Sequence, residues 1–220
     1  MAKRDLNGKI VAVVGATGGL GREIAAVLSE RGAVVVGANR SGGSDVVVDL
    51  RDSEAGQALV DHCLGAHGRL DGVVVAAGIV AFGDLADTDD VVVEELLLTN
   101  AMGPMWLAKR ATPALSESQG FFVNISGVVA DTPMPGMAAY SASKAAAAAA
   151  FEAIRRELRR SKVQVIDARP PHTETGLATR PLAGTAPKMP TGLSPRAVAE
   201  RIVDAIQEGE AVVPADAFGS

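Results

Sequence analysis

Apolar residues along this chain fall into two alternating textures. Short, continuous, β-branched runs begin at Lys9 (KIVAVVG), Ala33 (AVVVGA), Asp71 (DGVVVAAG), Gly120 (GFFVNIS) and Val163 (VQVIDAR), and runs of this kind suit strands buried on both faces. Longer stretches at 19–31, 53–67, about 89–116, 138–160 and 195–208 read as helices. Strand and helix in alternation predict an α/β fold, a doubly wound parallel sheet with helices on both faces, as one domain over 1–220.

Local chemistry marks several boundaries. Gly32 follows the first helix as a C′ residue, Ser53 is placed to cap the second with Glu54 in its first turn, and Ser194 precedes Pro195 at N1. Asp89 and Asp90 stand at a helix start, where capping and the helix dipole explain them better than carboxylate catalysis. The six alanines at 145–150 favour helix and let another backbone come close, within the fold or across a subunit interface. The Pro-rich segment at about 170–195 lacks periodicity and is expected to be a mobile loop that shapes specificity.

Composition narrows the function classes. With 48% hydrophobic and 21% charged residues the chain has the apolar content of one well-cored domain, and a net charge of −5 opposes a nucleic-acid surface. The start, MAKRDLNGKI, has no signal-peptide pattern, and no apolar run reaches membrane-span length, so a cytoplasmic protein without membrane contact is expected. Cys63 is the only cysteine, which leaves no internal disulfide and reads as a small buried thiol. His172 and Glu174 form an H-x-E, but without a P-C-x-x-C and with His62 and His67 on a helix, no metal site is expected.

After the first strand comes GATGGLGRE, whose Gly15, Gly18, Gly19 and Gly21 open a helix. Glycines permit the tight turn and let a pyrophosphate approach the backbone, while the helix N-terminus offers free N–H groups. Two glycine spacings fit equally well, Gly15/Gly19/Gly21 and Gly15/Gly18/Gly21. At the end of the second strand, where an acidic residue would bind the ribose 2′-hydroxyl of NAD, stand Asn39 and Arg40. A neutral amide beside a guanidinium suits a 2′-phosphate, so NADP is favoured over NAD.

In YSASK, Tyr140 and Lys144 share one face of a helix. A cation near a phenol favours the phenolate, so Lys144, reinforced by an oxidised nicotinamide, is expected to lower the Tyr140 pKa from about 10. Met134 and Met137, shortly before, are placed either to line an apolar pocket or to pack their loop.

With GATGGLG near the start, TNAMGP around Asn100, NISG around Ser126 and YSASK after it, the chain resembles the short-chain dehydrogenase/reductase family over nearly its whole length. The resemblance implies a Rossmann fold and an NADP-dependent carbonyl reductase or alcohol dehydrogenase. In it Tyr140 is the proton donor or acceptor, Lys144 modulates it and binds the nicotinamide ribose, Ser126 donates to the carbonyl oxygen, and Asn100 holds a water of the proton relay. The resemblance assigns Gly15, Thr17, Gly18, Gly19, Leu20 and Gly21 to the cofactor's phosphates. It assigns Asn39, Arg40, Asp49, Leu50, Ala76, Ala77 and Gly78 to the adenosine side and the floor, and Pro170, Thr173 and Thr175 to the nicotinamide. It further implies a homotetramer or homodimer through the helices at 100–116 and 138–160.

The chain departs from the family pattern in places. VAAG at 75–78 replaces Asn-Asn-Ala-Gly, Gly127 stands where a second serine is common, and Pro171 replaces a glycine. Two other readings stay open: a non-catalytic NADP-binding sensor or scaffold, and an extended-type epimerase, for which the region after VQVIDA is short.

Overall fold

The computed structural model describes residues 3–219. Its strands are β1 (Ile10–Val14), β2 (Val34–Asn39), β3 (Val46–Val47), β4 (Gly72–Val75), β5 (Phe121–Ile125), β6 (Gln164–Ala168) and β7 (Val212–Val213). Its helices are α1 (Gly19–Glu30), α2 (Ala55–His67), α3 (Asp90–Leu97), α4 (Gly103–Ser118), α5 (Ala138–Glu157) and α6 (Pro195–Glu208). All seven strands pair in parallel in the order β3-β2-β1-β4-β5-β6-β7.

The strand period of two explains the continuous apolar runs. Along β1, Ile10, Ala12 and Val14 face one core with Leu59, Leu107 and Phe151 of α2, α4 and α5. Val11 and Val13 face the other, with Ile24 and Leu28 of α1 and Ile202 of α6. Neither face of the central strands meets water, so no alternation with polar residues is required. Phe122 of β5 stacks on Phe151 with ring centroids 5.1 Å apart, and truncating either to alanine is expected to cost about 3–5 kcal/mol. Cys63 is fully buried in the first core, and burial pushes its thiol up to about 11.

Three details differ from the sequence reading. The helix expected over 89–116 breaks into α3, a π-turn at Leu98–Met102, and α4. Pro104 is the local cause: it has no N–H for the carbonyl of Asn100 four residues earlier. Gly103 is needed at this join, because a Cβ there would stand 2.3 Å from the Leu50 carbonyl oxygen. Ser53 does not cap α2, which begins after Glu54; instead Asp52 accepts the Glu54 N–H at 2.9 Å. Asp89 holds the N-cap position of α3 without a side-chain cap bond, so its contribution there is the dipole alone. By contrast Ser194 caps α6, accepting the Ala197 N–H at 3.3 Å with Pro195 at N1.

The segment after β6, expected to be mobile, is tied down without regular structure. Thr173 bridges Leu193, the Leu182 N–H reaches the Val80 carbonyl at 2.7 Å, and the Phe82 N–H reaches Ala183 at 3.0 Å. Several of its backbone groups are bonded across the loop and against residues 80–82, which gives an irregular sequence a defined course.

Candidate active site

β1 pairs with β2 on one side and β4 on the other, so the order of strands reverses beside it and a crevice opens at the carboxyl ends. A cleft of about 630 Å³ occupies this place. Its two ends are built differently.

At one end the wall is backbone. Gly15, Thr17, Gly18, Gly19 and Leu20 line the cleft, and α1 starts there with no side-chain cap and no acidic residue in its first turn. Its leading N–H groups therefore point at the cleft without an internal anion. The glycines are sterically required: a Cβ on Gly15, at φ 87°, would stand 2.6 Å from the Ala77 nitrogen, and one on Gly19 would stand 2.4 Å from the Thr175 oxygen. Gly21, expected among the phosphate ligands, instead lies behind the turn, where a Cβ would meet the Gly15 oxygen at 2.1 Å. Its task is to let α1 pack against the turn.

Asn39, Arg40, Asp49 and Leu50 line the far side, and Ala76, Ala77 and Gly78 the floor. Asn39 is buried; its Nδ2 donates to Thr17 Oγ1 at 2.9 Å and its Oδ1 has no donor. Arg40 is exposed and makes no ion pair among the described residues, whereas Asp49 is already engaged by Arg51 at 2.6 Å. A glycine cradle, an uncapped helix terminus and an unpaired rim cation together fit a dinucleotide: the turn would hold its diphosphate and Arg40 a 2′-phosphate.

At the other end the wall is side chain. Tyr140 and Lys144, one turn apart on α5, both line the cleft. Lys144 is buried and donates from Nζ to the Ile125 carbonyl at 2.8 Å. Burial pulls its pKa down to about 8, with Asp167 opposing the shift. Tyr140 packs against Val80, Phe82, Val129 and Met137. Removal from water pushes the Tyr140 phenol up to about 12, and the Lys144 ammonium is bonded to the Ile125 carbonyl rather than to it.

Two further motif residues have their side chains bonded within the protein. Ser126 lines the cleft but is fully buried, and its hydroxyl donates to Asp167 Oδ2 at 2.9 Å. The next residue, Gly127, also lines the cleft, at φ 79° and ψ 165°, a conformation that essentially only glycine adopts. Asn100 lies beneath the cleft. Its Nδ2 donates to the Ile79 carbonyl at 2.9 Å and to Ser143 Oγ at 3.0 Å, and its Oδ1 accepts the Ile79 N–H at 3.0 Å. Both amide protons are thus used in bracing the floor of the cleft.

The family model described as short chain dehydrogenase matches residues 9–183, from β1 into the loop after β6. The chain belongs to the short-chain dehydrogenase/reductase family. It is 33% identical over 171 residues to 11-beta-hydroxysteroid dehydrogenase A of Sesamum indicum, covering 70% of this chain and 49% of that protein. This chain thus spans about half the length of that relative. Among solved structures, a short chain dehydrogenase from Burkholderia cenocepacia J2315 in complex with NADP shares the fold at a TM-score of 0.85, with 24% identity over 99% of this chain and 90% of that one. A short chain dehydrogenase/reductase from Burkholderia phymatum in complex with NAD gives 0.84, with 23% identity over 96% and 90%.

For this short-chain dehydrogenase/reductase the loop adds features that sequence reasoning did not single out. Pro170, Thr173 and Thr175 line the cleft as expected, but so do Leu177, Arg180 and Met189. Both methionines suspected of lining a pocket do so, Met137 buried and Met134 half exposed. With Val80, Phe82, Val128 and Val129 they make the chamber beside Tyr140 apolar. Nothing in the motif pattern marked Val80 or Phe82; they arrive there because the loop hydrogen-bonds to their backbone. His172 faces Glu174 at 3.4 Å on the same loop.

Proposed function

We propose that the protein is an NADP-dependent carbonyl reductase or alcohol dehydrogenase acting on a small apolar ketone, aldehyde or the matching alcohol. The carrying observation is the juxtaposition in one cleft of a backbone-built anion cradle and the Tyr140–Lys144 pair beside an apolar chamber. When bound, the nicotinamide supplies the hydride. Tyr140 gives its proton to the carbonyl oxygen, and a phenol held near 12 is in the proton-bearing form needed for reduction at neutral pH. Lys144 places a positive charge next to the tyrosine and stabilises the phenolate left behind. The apolar wall of Val80, Phe82 and Val129 keeps water from the reacting centre.

Arg40 supports NADP over NAD, since it is an unpaired cation at the rim beside a neutral Asn39. A second reading, a dinucleotide-binding sensor without turnover, draws support from Ser126, whose hydroxyl is bonded to Asp167 rather than free. Assembly as a homodimer or homotetramer through α4 and α5 fits Met102 and Met105, exposed at and after the π-turn.

NADPH consumption against a panel of ketones and aldehydes, with the wild type and Tyr140→Phe, separates these readings. Turnover of at least one carbonyl that Tyr140→Phe abolishes supports the enzyme. Tight NADPH binding with no oxidation on any carbonyl supports the sensor.

A further inference from the structure

The buried carboxylate of Asp167 lies behind the tyrosine and lysine of the cleft. Asp167 is only 4% exposed, at the carboxyl end of β6, and burying a carboxylate costs several kcal/mol unless donors surround it. Here three do: Asn124 Nδ2 at 2.8 Å, Ser126 Oγ at 2.9 Å and Arg169 Nε at 2.8 Å. Arg169 in turn pairs with Asp131 at 2.5 Å, just after the turn that carries Gly127 to Val129 into the cleft wall.

The placement follows from strand periodicity. Phe122, Asn124 and Ser126 point to the face of β5 that packs on α5, and Asp167 is register partner to Asn124 on that same face of β6. A row that is apolar at Phe122 therefore becomes polar beside the helix that carries Lys144. Between the two clamped side chains lies Ile125, whose carbonyl accepts the Lys144 ammonium at 2.8 Å.

We propose that Asp167 is a positioning residue for Lys144: by clamping Asn124 and Ser126 it fixes the Ile125 carbonyl that aims the ammonium, and its negative charge keeps that amine protonated next to the tyrosine. The charged groups bearing on the amine are Asp167 from β6 and, behind it, Arg169 and Asp131. On its own helix Tyr140 is the titratable neighbour, and from the π-turn the uncharged amide of Asn100 approaches it under Gly78. Opposition by Asp167 to the burial effect on Lys144 agrees with this geometry.

The inference rests on the role of Lys144 proposed above, and its test is kept separable from that role. The pH dependence of NADPH affinity, read by fluorescence, and of kcat/KM is measured for the wild type, Asp167→Asn, Arg169→Gln and Lys144→Met, with thermal melts alongside. Asp167→Asn is expected to move the alkaline limb of both profiles down by about one pH unit. Arg169→Gln, which strips the carboxylate of its other cation, is expected to move them up. Opposite shifts cannot come from a brace that only stabilises the fold, because both substitutions would lower the melting temperature alike. Wild-type limbs in both variants, with Lys144→Met inactive, overturn the role of Asp167 and leave that of Lys144 intact. Full NADPH affinity and turnover in Lys144→Met overturn the underlying reading itself. Should Asp167→Asn not fold, Arg169→Gln alone decides: an upward shift upholds the inference and an unmoved limb overturns it.

Discussion

The two ends of the cleft are made of different material. The dinucleotide end is a backbone surface, set by where glycines let one chain segment touch another: Gly15 against Ala77, Gly19 against Thr175, Gly21 against the turn itself. The chemical end is a side-chain surface, where Ser126 lines the cleft with its hydroxyl bonded to Asp167, Asn100 braces the floor from beneath, and Gly127 leaves a gap. A backbone surface follows from residue type and spacing, because a missing Cβ has one meaning. A side chain at a motif position still has to choose between a substrate and an internal partner, and a buried carboxylate such as Asp167 is the stronger competitor for a hydroxyl proton.

The sharpest break between the ends is Tyr140→Phe. Removing the one phenol should lower the carbonyl reduction rate by about 10²–10⁴-fold while NADPH affinity, owned by the other end, stays within about threefold. Steady-state kinetics and fluorescence titration on the same preparations check both halves of that statement.

Arg40→Asp probes the opposite end. Replacing a charged donor by a carboxylate should cost NADPH about 1.5–3 kcal/mol, roughly tenfold to a hundredfold in affinity, and shift preference toward NADH with kcat little changed. Equal affinities before and after substitution remove Arg40 from the site.

Ser126→Ala distinguishes the motif reading from the geometry. A donor to the developing oxyanion would cost about 10²–10³ in kcat on removal. A hydroxyl committed to Asp167 should instead cost about 1–3 kcal/mol of stability, by leaving that carboxylate short of a donor, and less than about tenfold in kcat. Urea unfolding beside kinetics separates the two.

The smallest effect is on stability against pH. Lys144 titrates near 8 when folded and 10.5 when unfolded, so between these values the unfolded chain holds a proton the folded one has lost, and stability rises with pH. Tyr140 runs the other way, near 12 folded against 10 unfolded, so above about 10 the unfolded chain sheds its proton first and stability falls. Melting temperatures of the apo protein should climb by several degrees from about pH 8 to about pH 10 and then turn down. Lys144→Met should lose the climb and keep the decline.

These contrasts also show how far the sequence could be read. Five of the seven strands and the two-sided core follow from β-branched runs, since strands buried on both faces need no other signal. β3 and β7 are two residues each, too short for any period to register. The break in the helix before α4 was visible in principle at Pro104, but its consequence, an Asn100 turned to Ile79 and Ser143, depends on contacts with the segment after β4 and with α5. The predicted cofactor residues line the cleft except Gly21, which sits behind the turn, and the internal partners of Ser126 and Asn100 were not legible in the motifs. The raised Tyr140 pKa has a source no motif contains: the packing of Val80, Phe82 and Met137 around the ring removes it from water.

The most direct test of the central claim is a crystal structure with NADPH and a trapped alcohol product. The account predicts the diphosphate on the N–H groups at Gly18 to Leu20, the nicotinamide beside Lys144, and the product oxygen within hydrogen-bond distance of Tyr140 Oη, with Ser126 still bonded to Asp167. A dinucleotide bound elsewhere, or a product oxygen out of reach of Tyr140, would contradict it.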